Sequence, residues 1–366
     1  MNPKKWLIQR KAMHLLHPVV VLLGAGATRG ALQKNTVPPP LDADFFEIAG
    51  QINGHGTLRL ARSVLNDVRN LYGRFPGVGL ETYYRDIETR ARIGNITRSA
   101  NRPKEWHRYQ DELEELIRRI IVHTTCKSKE GRLEPLKSRA HSRILSKLEE
   151  HDTIVTFNYD VLIEHSFGGE SLWTPRGGYG TGVHGITNEW CRRWFKDRDI
   201  NASTRAKVQL LKLHGSVNWT VYKNGQVRLK DRPFVVRTRN HKTVYEEVSI
   251  LPPGLNKRID INPYRQLWRK ARLRLEQCKT LVIIGYSLPE ADLLARALFS
   301  EVVRLRVARK KYLRQLHLAD PNTSVKEKFV ELFVPALNAQ SKIFRYQDIN
   351  EFSRAQSRVG SENKED

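Results

Sequence analysis

The stretch Val19-Val20-Val21-Leu22-Leu23-Gly24-Ala25-Gly26-Ala27-Thr28 carries an apolar, largely β-branched run straight into a glycine turn. Such a run without polar alternation suits a strand covered on both faces, as strands are in a parallel sheet. Glycines at its end let the backbone approach a pyrophosphate, and a helix starting there offers unpaired N–H donors to the same group. The spacing departs from the G-x-G-x-x-G fingerprint because Arg29 precedes Gly30. A glycine turn of this kind also occurs in α/β proteins that bind no nucleotide.

Working outward, similar runs at 153–157, 210–213, Thr280–Ile284 and Gln315–Ala319, with a sixth at Lys342–Tyr346, are each followed by turn residues. Helical patterns follow at 160–166, 290–303, Thr323–Phe333 and 350–356. That alternation predicts an α/β chain with a Rossmann-like parallel sheet and helices on both faces. Between the first two strands, Leu58, Ala61, Leu65, Val68 and then Leu113, Leu116, Ile117, Ile120 recur at helical spacing, predicting a helical insertion over about 46–150. Alternating residues around Trp219, Val227 and 234–236, with Asn224-Gly225 as a turn, predict a β-hairpin elaboration over about 216–255. The expected organisation is one domain over 1–356 with a disordered tail over 357–366.

The chain has 366 residues, 40% hydrophobic and 28% charged, a composition that excludes fibrous and disordered classes. Cys126, Cys191 and Cys278 are odd in number and far apart, which argues against a disulfide framework and, lacking any CxxC pair, against a zinc ribbon. No metal is expected. Basic residues before the apolar run from Leu15 to Leu23 imitate a secretory signal. His17 and Pro18 interrupt it, however, and no stretch approaches the ~20 apolar residues of a membrane span, so a cytoplasmic location is expected. The net charge of +24, with a dense run at Arg304, Arg306, Arg309, Lys310, Lys311 and Arg314, attracts nucleic acid, acidic partners and anionic cofactors alike.

The chemistry-bearing residues stand where the predicted strands end, the edge at which open α/β sheets bind ligands. The second strand leads to Asn158, Tyr159 and Asp160, an amide and a carboxylate that could equally cap the next helix. The third leads to His214-Gly215, placing an imidazole in register with Asn158, where it suits a general base acting on a sugar hydroxyl or water. The fourth leads to Gly285-Tyr286-Ser287-Leu288-Pro289-Glu290-Ala291-Asp292, a second glycine turn able to cradle phosphate or ribose. The fifth leads to Asp320-Pro321-Asn322, whose side chains could hold an adenosine end.

In this order, Gly24 to Thr28, Asn158 to Asp160, His214-Gly215, Gly285 to Ser287 and Asp320 to Asn322 resemble the sirtuin family, in its zinc-free, sirtuin-like branch. The resemblance covers most of the chain. The segment Pro38-Pro39-Pro40-Leu41-Asp42-Ala43-Asp44-Phe45 is similar to that family's mobile cofactor loop, with Asp44 and Phe45 as its Asp-Phe pair. Leu251-Pro252-Pro253 and the stretch from Gly285 to Asp292 are similar to bacterial sirtuin-like proteins of antiphage defence. Two departures count against protein deacylation: Phe157 stands where deacetylating sirtuins carry glutamine, and the four zinc cysteines are missing.

The resemblance implies an NAD-binding catalytic domain that uses NAD as substrate and hydrolyses its nicotinamide–ribose bond, as a triggered effector of antiphage defence. It implies that Asn158 positions the ribose or attacking water, that His214 acts as base, and that Asp160 holds the nicotinamide end. Gly24, Ala25, Gly26, Ala27, Thr28, Asp44, Phe45, Gly215, Gly285, Tyr286, Ser287, Asp320 and Asn322 would line the dinucleotide. A protein activator and a homo-oligomer or hetero-complex are expected partners, and nucleic acid on the basic surface a further one. An NAD-dependent deacylase or ADP-ribosyltransferase, and a non-catalytic sensor of NAD or ADP-ribose, are the alternative readings.

Overall fold

The structure is a computed structural model that describes the chain except residues 1–12, 53–54, 74–76, 97–101, 130–131, 168–171, 187–205, 223, 230–249, 252–258, 291 and 360–366. Strands β1 (Val19–Leu23), β4 (Thr153–Thr156), β6 (Gln209–Lys212), β9 (Thr280–Ile284), β10 (Gln315–Ala319) and β11 (Lys342–Tyr346) form one sheet. Its order is β11-β10-β9-β1-β4-β6, with every pairing parallel. Every residue of β1, β4, β9 and β10 is buried, so β1 runs wholly apolar and β9 nearly so, while β4 buries its two terminal threonines and β10 buries Gln315 and His317. Helices Ala25–Ala31, Arg139–Leu145 and Ile349–Val359 pack together, while Tyr264–Gln277, Leu293–Ala308 and Thr323–Phe333 form a second group. The chain thus builds the Rossmann-like α/β fold expected from its alternating pattern.

Between β1 and β4 lie helices Phe45–Gln51, His55–Tyr72, Leu80–Ile96 and Arg102–Thr125, which share a second core containing Val64, Val68, Tyr83, Ile87, Leu116 and Ile120. The segment after them holds an antiparallel hairpin, β2 (Cys126–Lys129) with β3 (Arg132–Pro135), which helical periodicity did not predict. Ala140, Ile144, Leu145 and Leu148 then pack in the core of the main sheet rather than with the preceding helices. β7 (Trp219–Val221) and β8 (Val227–Leu229) form the expected hairpin about Gly225, whose φ of 77° is left-handed. β5 (Val183–Ile186) adds alongside β8. The expected strand at 234–236 and Cys191 lie outside the described residues, and Cys126 and Cys278 are buried.

Two expectations are corrected. The last helix continues to Val359, so 357–359 are helical instead of part of a disordered tail. The basic run is no uniform outer surface, because Arg306 is buried and donates to the carbonyls of Leu275, Cys278 and Lys311 at 2.7–2.9 Å. It thereby satisfies carbonyls left unpaired where two helices end. Arg304 pairs with Glu301, and Arg309 reaches Glu276. Among the described residues, no helix is long and apolar enough to cross a membrane.

Candidate functional site

The chain builds β1, moves out through β4 to β6, and returns to place β9 on the other flank of β1. The strand order therefore reverses between β1 and β9, and in open α/β sheets the crevice beyond such a reversal is where ligands bind. In the ladder Leu23 pairs with Thr156 and Ile284, Thr156 with Lys212, and Ala319 with Ile284. Asn158 and His214 consequently stand at equivalent positions, two residues beyond the paired Thr156 and Lys212 on adjacent strands.

The two glycine turns meet at the reversal. Gly24 donates its N–H to Ile284 O at 3.0 Å and Gly26 to Gly285 O at 2.8 Å. A Cβ on Gly24 would lie 2.5 Å from Gly285 O, and one on Gly285 would lie 2.1 Å from the Ala27 nitrogen. These positions need glycine first because one loop rests on the other. The expectation that the turn keeps its N–H donors open is corrected at Gly26 and at Ala27, whose N–H bonds Gly24 O at 2.9 Å. Helix formation begins at Ala25 and closes the turn more tightly than the sequence suggested.

Beside this contact the side chains at the end of β4 form a connected network. Asn158 donates Nδ2 to Gly24 O at 2.9 Å and to Thr28 Oγ1 at 3.0 Å, and Thr28 donates its hydroxyl to Asp160 Oδ2 at 2.7 Å. Leu162 N–H meets the other carboxylate oxygen of Asp160 at 3.0 Å. Asp160 is 4% exposed with both oxygens engaged, so its carboxylate sets the position of Thr28 and Asn158. Asn158 is half-buried, and among the described residues no hydrogen bond reaches its Oδ1. That oxygen is an amide acceptor whose capacity the described hydrogen bonds leave unused.

Below the network, Lys212 is fully buried and grips the carbonyl of Asp160. Its ammonium also donates to Glu164 Oε1 at 3.0 Å, which Tyr179 reaches at the same distance. Burial raises the Glu164 carboxyl, and the Lys212 charge opposes that rise. The sequence reading missed this pair, although a lysine inside an otherwise apolar strand was a visible signal that a buried partner exists.

His214 is 5% exposed. The left-handed φ of 80° at Gly215 turns the chain back after it, and Leu251 N–H holds its carbonyl at 2.8 Å. Its ring is 5.0 Å from Phe157, 6.2 Å from Tyr159 and 6.3 Å from Trp268. Phe157 in turn stacks on Tyr286 at 4.4 Å. Phe157 thus forms the floor between β4, β6 and β9, where the sequence noted only an unusual replacement. Trp268, which donates Nε1 to Leu213 O at 3.1 Å, was not foreseen as part of this site, and Asp292, expected only as the end of the second glycine turn, lies beside His214.

The remaining expected residues are placed differently. Ser287 is exposed. Asp320 accepts from Asn322 N at 2.8 Å and Asn322 from Ser324 N at 2.9 Å, so both side chains cap their own turn and helix, and burial raises the Asp320 carboxyl. Asp44 accepts from Leu41 N at 2.7 Å and pairs with Arg29. Phe45 is buried in the second core, edge-on to Phe46 at 5.3 Å, so its ring is committed to packing.

Residues 152–331 match a family model described as a SIR2-like domain. The match takes in β4, β6, β9 and β10, with Asn158, His214, Gly285 and Asp320, and leaves β1 and the helical insertion outside it. Among solved structures, a Sir2 homolog–NAD complex is 13% identical, covering 96% of this chain and 98% of that one at a TM-score of 0.40. A Sir2 homologue–ADP-ribose complex is 12% identical, with coverage of 94% and 93% and a TM-score of 0.41. Sir2 bound to an acetylated peptide is 11% identical, with coverage of 99% and 95% and a TM-score of 0.34. Among curated proteins none matches the chain.

Proposed function

We propose that this chain, as one catalytic unit over 1–356, binds NAD beyond the reversal between β1 and β9 and hydrolyses the bond between nicotinamide and ribose. One observation carries the reading: the open Oδ1 of Asn158 and the imidazole of His214 stand at matched positions on neighbouring strands, beside two interlocked glycine turns. The order of these motifs in a SIR2-like segment supports the choice of ligand.

Cleaving this bond builds positive charge on the ribose, as glycoside hydrolysis does. The pyridinium leaves as neutral nicotinamide with the bonding electron pair, so no acid is needed to protonate it. Asn158 Oδ1 accepts a hydrogen bond from a ribose hydroxyl or the attacking water and fixes its approach. His214 takes the proton as the water oxygen bonds the anomeric carbon, giving ADP-ribose, nicotinamide and one proton per turnover. Thr28 and Asp160 hold the Asn158 amide while this occurs.

The enclosure of His214 supports a resting state, since NAD reaches the imidazole only after part of its cover moves. We take this as the basis for an effector that waits on an activator. A role in antiphage defence and an oligomeric assembly rest on the motif resemblance, a nucleic-acid trigger on the basic charge of the chain, and all three are part of the same proposal.

The test is incubation of the purified chain with NAD, with and without nucleic acid, reading nicotinamide and ADP-ribose. The reading predicts equal amounts of both products without added acceptor. Release only when acylated peptide is present would assign a deacylase or transferase. NAD-dependent thermal stabilisation without nicotinamide release under any trigger would assign a sensor.

A further inference from the structure

One carboxylate beside His214 is not used by the reaction just described. Asp292 precedes the helix Leu293–Ala308, is 2% exposed, and places Oδ2 3.9 Å from His214 Nε2. It is fixed from two sides, because Tyr286 donates its hydroxyl to Oδ2 at 2.9 Å and Ala295 donates its N–H to Oδ1 at 3.4 Å. Tyr286 is itself locked by stacking on Phe157, whose ring also contacts His214. The carboxylate, the tyrosine and the imidazole therefore form one packed unit joining the end of β6 to the loop after β9.

We infer that Asp292 is a positioning residue for His214, orienting the imidazole and favouring its protonated form, an inference that rests on the proposed NAD-cleaving reading. A base held by a third group is a general arrangement in enzymes that abstract protons. Here the pair lies buried beside aromatic rings, where salt and water screen an ion pair far less than at the surface. When His214 accepts a proton, the imidazolium lies at ion-pair distance from an anion that cannot swing away.

Other titratable or charged groups face the same space. The hydroxyls of Tyr159 and Tyr286 are kept protonated by burial. Arg296 bonds Pro289 O at 3.2 Å, and its charge also reaches Tyr286. Glu81 and Glu114 act on Tyr159 from the helical insertion, where Glu114 accepts from Tyr84 at 3.0 Å. Tyr286 is bonded to Asp292 and both tyrosines feel its charge, so Asp292→Asn is read together with Tyr286→Phe.

The direction follows from charge. An anion beside the ring raises the pH at which it loses its proton, so Asp292→Asn lowers that pH by roughly one to two units. A base must be neutral to act, so the acid limb of the rate profile moves to lower pH by the same amount. NMR titration of the histidine-labelled full chain, with His214→Asn to identify the signal, reads the first shift. The pH profile of nicotinamide release reads the second. Tyr286→Phe is the companion variant: it keeps the ring stack, frees Oδ2 from a hydroxyl, and moves the titration upward. A His214 titration unchanged in Asp292→Asn overturns the inference even if wild-type chain hydrolyses NAD, as does one unchanged in Tyr286→Phe should Asp292→Asn fail to fold. A shifted titration in a chain that never releases nicotinamide upholds the pairing and overturns the reaction assigned to it.

Discussion

At the end of β4 polar side chains reach across to the turn and helix that follow β1, whereas at the end of β10 they bond within their own turn. Asn158 bonds Gly24 and Thr28, while Asp320 and Asn322 satisfy the start of the helix Thr323–Phe333. A buried lysine lies under each end: Lys212 grips the carbonyl of Asp160, and Lys326 donates to the carbonyl of Asp320 at 2.6 Å. Lys212 has the fully buried Glu164 as its counter-ion. The contrast is one of reach: Asn158 ties the end of β4 to the turn after β1, while Asp320 and Asn322 are satisfied locally.

Lys212→Met gives the largest effect, because it strands Glu164 in the core, and breaking a buried pair costs about 3–5 kcal/mol. Lys326→Met, which loses hydrogen bonds from a charged donor, costs about 1.5–3 kcal/mol. Urea unfolding compares the two, and equal losses would erase the distinction drawn between the two ends.

Asn158→Ala lowers NAD turnover by roughly 10²-fold, the scale on which a misplaced reacting group slows a reaction. Asn322→Ala leaves turnover within a few-fold while costing about 0.5–2 kcal/mol of stability, as the loss of a helix cap does. If the cap variant loses activity as severely as Asn158→Ala, the end of β10 belongs to the catalytic machinery after all.

Acid acts on both flanks. Burial pushes His141, near Asp160, down to about 4 and His317, on β10, down to about 3. An unfolded histidine protonates near ~6.5, so below that value the unfolded chain binds more protons than the folded one. Stability contributed by both groups is present above that pH and falls as the medium is acidified through it toward 4. Thermal melts across this window should decline, and His317→Gln should flatten the decline. A melting temperature constant from pH 7 to 4.5 would falsify the assignment of these rings as buried and neutral.

Much of the sheet was legible because full burial leaves a plain signature. β1, β9, β10 and β11 begin and end at the predicted residues, β4 ends one residue early, and β6 shifts by one residue at both ends. The hairpin β2–β3 was not legible, since Cys126–Lys129 is short and largely polar and follows a long helical pattern. At the site, the strand-end positions of Asn158 and His214 could be read from the chain. The interlocking of Gly24 with Gly285 could not, because it depends on β9 returning beside β1 after more than two hundred residues. The place of Asp292 beside His214 was hidden for a similar reason: the sequence put it at the end of the second glycine turn, and its distance to the ring is set by packing between the ends of β6 and β9.

The central claim is that Asn158 and His214 address one sugar. Co-crystals of the chain with ADP-ribose test it most directly. The account predicts the nicotinamide-side ribose between these two residues, with a hydroxyl bonded to Asn158 Oδ1 and the imidazole within reach of the anomeric carbon's attacking water. A ribose bound elsewhere, with Asn158 and His214 both untouched, would contradict it.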